Sequence, residues 1–152
     1  MFPTRSSPSI LLLACAALSN TTAVALPDAN QTATLVEALR RAAPHTDDPT
    51  LYSDWKMREG AIAHWTPRCV GVSVPPAEFA ANPVMVRETV ACVMGPVLEA
   101  QMAASGGDED LAVRRTTAWW MVGDPNQYQA EGSINSYVSR VLRYYWALRT
   151  AQ

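Results

Sequence analysis

The sequence predicts an all-α fold, a single small helical domain behind an export signal. Three observations predict it. Four stretches of the chain carry apolar residues at helical spacing, and each is bounded by residues that start or stop helices. The first 25 residues have the order of a secretory signal and nothing else in their composition. The remaining 127 residues, 26–152, are enough for one core and too few for two. Charged residues make up 17% and hydrophobic residues 49% of the chain. That balance argues against disorder, which needs much charge and few apolar side chains.

Residues Met1 to Ser9 carry one charge, Arg5, and Ile10 to Leu18 is an apolar run. Ala23-Val24-Ala25 then supplies a small-residue cleavage site. Cleavage is expected after Ala25, with Leu26 as the mature N-terminus. A membrane anchor would need an apolar run of about 20 residues. Leu12-Leu13-Ala14-Cys15 loosely resembles a lipoprotein signal, but the apolar stretch before Cys15 is short. An extracytoplasmic location, secreted or periplasmic, follows from the signal, with no membrane contact after cleavage. The mature chain then holds two cysteines, Cys69 and Cys92. In an oxidising compartment an even pair predicts a disulfide, the alternative being two buried thiols.

Residues 26–31 read as a loose, polar lead-in. Thr32 to Ala43 reads as the first helix, with Leu35, Val36, Leu39, Ala42 and Ala43 on one side and Pro44 as its stop. Thr34 and Glu37 have the spacing of a capping box. Leu51 to Lys56 is short and aromatic, and is expected to be extended or irregular. Glu59 to Trp65 suggests one or two helical turns ended by Thr66-Pro67. Pro76 to Phe79 suggests a single turn that buries Phe79. Asn82-Pro83 is a strong helix start. The helix beyond it runs to about Ala104, with Val86, Val90, Val93, Val97 and Met102 as its stripe and a kink or division at Pro96.

Asp108 is placed to cap a helix from Glu109 to Val122, with Gly123 after its end. Its inner side is expected to hold Leu111, Ala112, Arg115, Ala118, Trp119 and Val122. The last helix starts at Ser133 or Ser136 and ends near Arg149. Ile134, Tyr137, Val138, Val141, Leu142, Tyr145 and Leu148 form its inner side.

Several chemistries are excluded by what is missing. The net charge is -2 and the pI about 5.6, unlike the basic footprint of a nucleic-acid binder. His45 and His64 stand alone, without metal-ligand spacing, so no metal site is expected. There is no phosphate-binding glycine loop, dinucleotide fingerprint or nucleophile elbow, so no cofactor is expected.

Carboxylates and aromatics remain. Glu37, Asp54, Glu59 and Asp124 lie on or beside aromatic segments that could line a groove. Glycan cleavage needs a carboxylic acid kept protonated by apolar surroundings, and Glu37 or Glu59 is the candidate catalytic acid should the chain be a diverged glycan hydrolase. Each of the four also has a plain structural role, at a cap, a turn or a helix start. The tryptophans Trp55, Trp65, Trp119, Trp120 and Trp146 are expected mostly in the core. Trp119 and Trp120 cannot share a helix face, so one of them is free to line a cleft.

The order of these motifs resembles lytic-transglycosylase-like domains of the lysozyme superfamily. Leu51-Tyr52-Ser53-Asp54-Trp55-Lys56, then Ile62 and Trp65, then Gly71, Pro76, Phe79 and Asn82-Pro83, is similar to the middle of those domains. There a Gly-x-Tyr-Gln segment precedes a short helix ending in tryptophan, a Pro-x-x-Phe turn and a long helix. Ala118-Trp119-Trp120 with Gly123 resembles their Ala-Trp-Tyr-x-Gly motif. Tyr137-Val138-Ser139-Arg140-Val141-Leu142-Arg143-Tyr144-Tyr145 resembles their final Tyr-Val-x-x-Val-Leu-x-Tyr helix. The likeness covers roughly residues 51 to 145.

The resemblance implies a small lysozyme-like helical domain that binds peptidoglycan or another glycan, with Tyr52, Trp55, Trp120 and Tyr128 lining the groove. The chain departs from that family where its activity resides. Active members end the first helix with a Glu-Ser pair, and this helix ends Arg40-Arg41-Ala42-Ala43-Pro44. The implied function is therefore glycan binding with or without cleavage. A diverged hydrolase or lytic transglycosylase and a helical protein-interaction module are the alternatives.

Overall fold

The computed structural model describes residues 27–151. The signal segment, its cleavage site and Cys15 lie outside the described residues. Within them the chain is mostly helical: α1 (Ala29–Ala42), β1 (Leu51–Tyr52), β2 (Met57–Arg58), α2 (Glu59–Cys69), α3 (Pro76–Ala80), α4 (Pro83–Ala104), α5 (Glu109–Val122) and α6 (Ser133–Thr150), with a 3-10 turn at Pro125–Gln129 before α6.

The first helix begins earlier than expected. Asp28 accepts a hydrogen bond from the Gln31 N–H at 2.6 Å, and the Gln31 side chain accepts one from the Asp28 N–H at 2.9 Å. That reciprocal pair is the capping box, and it starts the helix at Ala29, inside the stretch expected to be a loose lead-in. Thr34 is not a cap but a buried residue inside the helix.

Leu51–Tyr52 and Met57–Arg58 form a small antiparallel hairpin, Leu51 facing Arg58 and Tyr52 facing Met57. Ser53 and Lys56 turn the chain with φ of 62° and 55°, values that cost a residue with a Cβ. Trp55 anchors the turn: it is buried, and its indole N–H donates to the Val36 carbonyl of α1 at 2.8 Å.

Helix α2 runs through Pro67 to Cys69, four residues beyond its expected end. Thr66 holds this last turn. Its carbonyl accepts from Val70 and Gly71 at 2.8 and 3.2 Å, and its buried hydroxyl accepts from the Val74 N–H at 3.2 Å. Cys69, the final residue of α2, is joined to Cys92 of α4 with 6.0 Å between Cα atoms. The expected disulfide is therefore formed.

Helix α4 is not divided at Pro96. The proline lies on the exposed side, where water can serve the carbonyl it leaves without a helical partner. The buried stripe is Val86, Val90, Met94, Leu98 and Met102 in place of the expected Val93 and Val97. Steps of four residues drift around a 3.6-residue helix. The drift lets α4 face α1, α2 and α3 along part of its length and α5 along another. Thr89 is also buried, and its hydroxyl has no hydrogen-bond partner. Thr89→Val removes that unmet group while keeping the shape, and is expected to stabilise the fold by about 1 kcal/mol. A urea midpoint no higher than that of the parent chain would count against it.

The inner face of α5 is Ala112, Val113, Thr116, Thr117 and Ala118. Leu111, Arg115 and Trp119 are half-buried and Val122 is exposed, so the face is rotated from the expected one. Two threonines make this possible. Their hydroxyls donate to the carbonyls of Ala112 and Val113 at 2.7 and 2.8 Å, which leaves only methyl groups for the core. The face of α6 is as expected at Tyr137, Val138, Val141, Leu142 and Tyr145, with Ile134 and Leu148 half-buried. It packs on α1 and α5. Of the five tryptophans only Trp55 is fully in the core; Trp65, Trp119 and Trp120 are half-buried and Trp146 is exposed.

Candidate functional site

Four elements meet around a groove of about 520 Å³. The hairpin supplies Leu51, Trp55, Lys56, Met57 and Arg58, and α2 supplies Ala61 and Trp65. On the other wall stand Trp120 and Met121 from the end of α5, and Ser133, Ser136, Tyr137 and Arg140 from the start of α6. The tight turn at Ser53–Lys56 aims Trp55 and Lys56 at one space.

Trp65 and Trp120 stack across the groove wall, ring centroids 5.7 Å apart and planes 30° from parallel. Both remain half-buried, so part of each ring is open to the groove. Tyr137 forms the deep side. Burial pushes its phenol above the ordinary tyrosine range, so the hydroxyl stays neutral. The Arg140 guanidinium lies 5.6 Å from the Tyr137 ring centre, in cation–π contact. The Lys56 ammonium donates to the Thr46 carbonyl at 3.3 Å.

Two of the four expected binding aromatics, Trp55 and Trp120, are brought together here. Tyr52 is half-buried against the core, outside the groove lining. Tyr128 lies in a separate polar hollow with Asp108, Asp110 and Arg114. Trp65, Tyr137 and the three cations were not expected here. Trp65 and Tyr137 read as core residues from their spacing, and a lone cation, in a hairpin or on a helix, carries no signal of what lies across from it.

The carboxylates are placed elsewhere. Glu37 faces three arginines. Arg40 donates to both its oxygens at 2.7 and 3.0 Å, Arg41 to Oε1 at 2.9 Å, and Arg87 of α4 to Oε2 at 3.0 Å. The Arg40 bonds, helped by those of Arg41 and Arg87, outweigh the effect of burial and hold the carboxyl at a pKa of about 2. A group so held is ionised at neutral pH and has no proton to give, which is the opposite of what the catalytic reading of Glu37 requires. Asp54 is exposed and pairs with Arg40 at 3.3 Å. Glu59 is the first residue of α2, exposed and outside the groove lining. Asp124 caps the 3-10 turn through the Asn126 N–H at 2.9 Å.

Thus no carboxylate among the described residues lines the groove. Among the described residues, no group of three or more His, Cys, Asp or Glu side chains is placed to hold a metal ion. No helix among them is long and apolar enough to cross a membrane. No known family, curated protein or solved structure matches this chain.

Proposed function

We propose that this chain is an exported glycan-binding domain that engages cell-wall glycan through the groove between the hairpin, α2, α5 and α6, without cleaving it. The observation that carries the reading is the lining: an aromatic wall made by Trp65, Trp120 and Tyr137, and no acid. A pyranose ring presents one face of C–H bonds, which packs on an open aromatic face, while its hydroxyls need polar partners at the rim. Ser133 and Ser136 stand at that rim. Cleavage would need a carboxylic acid beside the glycosidic bond.

The likeness of residues 51–145 to lytic-transglycosylase-like domains supports the same ligand class. Export is supported by the signal-like order of residues 1–25 and by the Cys69–Cys92 bond. A diverged hydrolase using Glu37 or Glu59 is less well supported, because neither lines the groove and Glu37 is held ionised. A ligand-free interaction module leaves the aromatic groove without a role.

The test is retention of the mature chain on purified peptidoglycan at low salt. Trp120→Ala is expected to weaken retention roughly tenfold through loss of one stacking face. A parent chain that passes through unretained ends the reading. Clearing of a cell-wall suspension that is lost in Glu37→Gln or Glu59→Gln would replace binding with catalysis.

A further inference from the structure

We infer that the glycan this groove takes is acidic, a carboxylate-bearing saccharide of the uronic-acid type, its sugar ring on the Trp65–Trp120 wall and its carboxylate among Arg140, Lys56 and Arg58. This rests on the glycan-binding reading and narrows it to one chemical class.

The distribution of unpaired charge carries the inference. Arg40, Arg41, Arg87, Arg114 and Arg149 each pair with a carboxylate. Among the described residues, six cations have no such pair, Lys56, Arg58, Arg68, Arg115, Arg140 and Arg143, and three of the six, Lys56, Arg58 and Arg140, line this one groove. The chain as a whole is negative, so their convergence is not a general excess of cations. Asp48 lies near enough to Arg58 to feel its charge but forms no ion pair with it.

Three like charges around one concave, partly apolar space repel one another, and an anion between them relieves that cost. Each also has donors to spare. Lys56 uses one N–H on the Thr46 carbonyl, and an ammonium has three. Arg140 is held by the face of Tyr137, which leaves the edge of its guanidinium free for a carboxylate. Aromatic stacking and a cationic rim together describe a ligand with both an apolar ring face and a fixed negative charge. Neutral glycans have the first alone.

The experiment is a tryptophan-fluorescence titration of the mature chain with a galacturonate hexamer, its neutral methyl ester, and polyglutamate. The acid is expected to bind about tenfold more tightly than the ester at low salt, from loss of charge-assisted hydrogen bonds in the ester. That gap should narrow as salt is raised towards about 1 M, where the screening length is short. Arg140→Gln and the exposed-site variant Arg58→Gln should each shrink it while circular dichroism is unchanged. Arg143→Gln, a cation outside the groove, should leave it intact.

Equal binding of acid and ester overturns the inference and leaves the glycan reading standing. Failure of both saccharides to bind overturns the inference, and overturns the glycan reading with it only if the chain is also unretained on purified peptidoglycan. Polyglutamate binding as tightly as the hexamer, and unaffected by Trp120→Ala, overturns it too, since charge alone would then be recognised.

Discussion

Replacing Cys69 and Cys92 together by alanine is expected to lower the unfolding free energy by about 3 kcal/mol, the chain-entropy effect of opening a loop of this length. The two residues are 23 apart in sequence. The loss should concentrate at the end of α2, where the helix is weakest. Pro67 lacks an N–H to continue the hydrogen-bond ladder, and the segment that follows exposes Val70 and Val72. Thr66 and the sulfur bridge are what keep that turn in place. Trp65 immediately precedes Thr66, so a frayed turn also loosens the Trp65–Trp120 stack on the groove wall.

The double variant should therefore show two effects: a lower urea midpoint, and tryptophan fluorescence shifted towards that of exposed indole before global unfolding. Treating the parent chain with a reductant should reproduce both. An unchanged midpoint in reduced and double-variant protein would show that the bridge contributes nothing to the fold.

How much of this molecule is legible in its sequence depends on how local the causes are. Helix α6 could be read nearly residue by residue, because its buried side is made of Tyr, Val and Leu at regular spacing. Helix α5 could be located but not oriented. Thr116 and Thr117 count as polar in a pattern, yet they satisfy their hydroxyls within the helix and pack as methyl groups. The sequence marks the hairpin as an extended or irregular stretch without showing its pairing. Two-residue strands carry no periodicity, and the left-handed turn positions are Ser53 and Lys56 with no glycine to mark them. The start of α1 is hard to see in the sequence because Asp28 and Gln31 precede the first apolar residue of the stripe, although their spacing is itself a capping box.

The groove was legible only in fragments. Trp55 and Trp120 stand out as residues, but the Trp65 stack and the meeting of Lys56, Arg58 and Arg140 join segments up to 84 positions apart in the numbering, from Lys56 to Arg140. Charge convergence of that kind is a property of the fold. Glu37 is the reverse case, conspicuous in sequence as the only acid of the first helix and committed in the structure to three arginines.

That commitment gives the second large effect. Glu37→Gln is expected to destabilise the domain by about 1–2 kcal/mol at neutral pH. A full conversion of the lowered pKa would give roughly twice that, but the arginine partners are between a third and a half exposed, and solvent screens each pair. The sign with pH follows from the direction of the shift. The folded pKa is about 2 against an ordinary value of 4.5, so the contribution is complete above pH 4.5 and is lost as pH falls towards 2. The stability difference between parent and variant should therefore be constant from neutral pH down to about 5 and close below it.

The consequence reaches the groove. Arg87, which Glu37 holds at 3.0 Å, lies over the Trp55 ring at 5.4 Å, and Trp55 is also fixed by its bond to Val36. Trp55 lines the ligand space. Losing the Glu37 carboxylate frees Arg87 and loosens the ring beneath it, so Glu37 acts on binding as a positioning residue, through packing. Glycan affinity of Glu37→Gln should fall a few-fold, and a second variant, Arg87→Met, should lower it by a similar factor with no further loss in the double variant, since both act through one ring. Additive losses, or a stability difference that persists unchanged at pH 3, would sever Glu37 from the groove and leave it as a surface ion pair like any other.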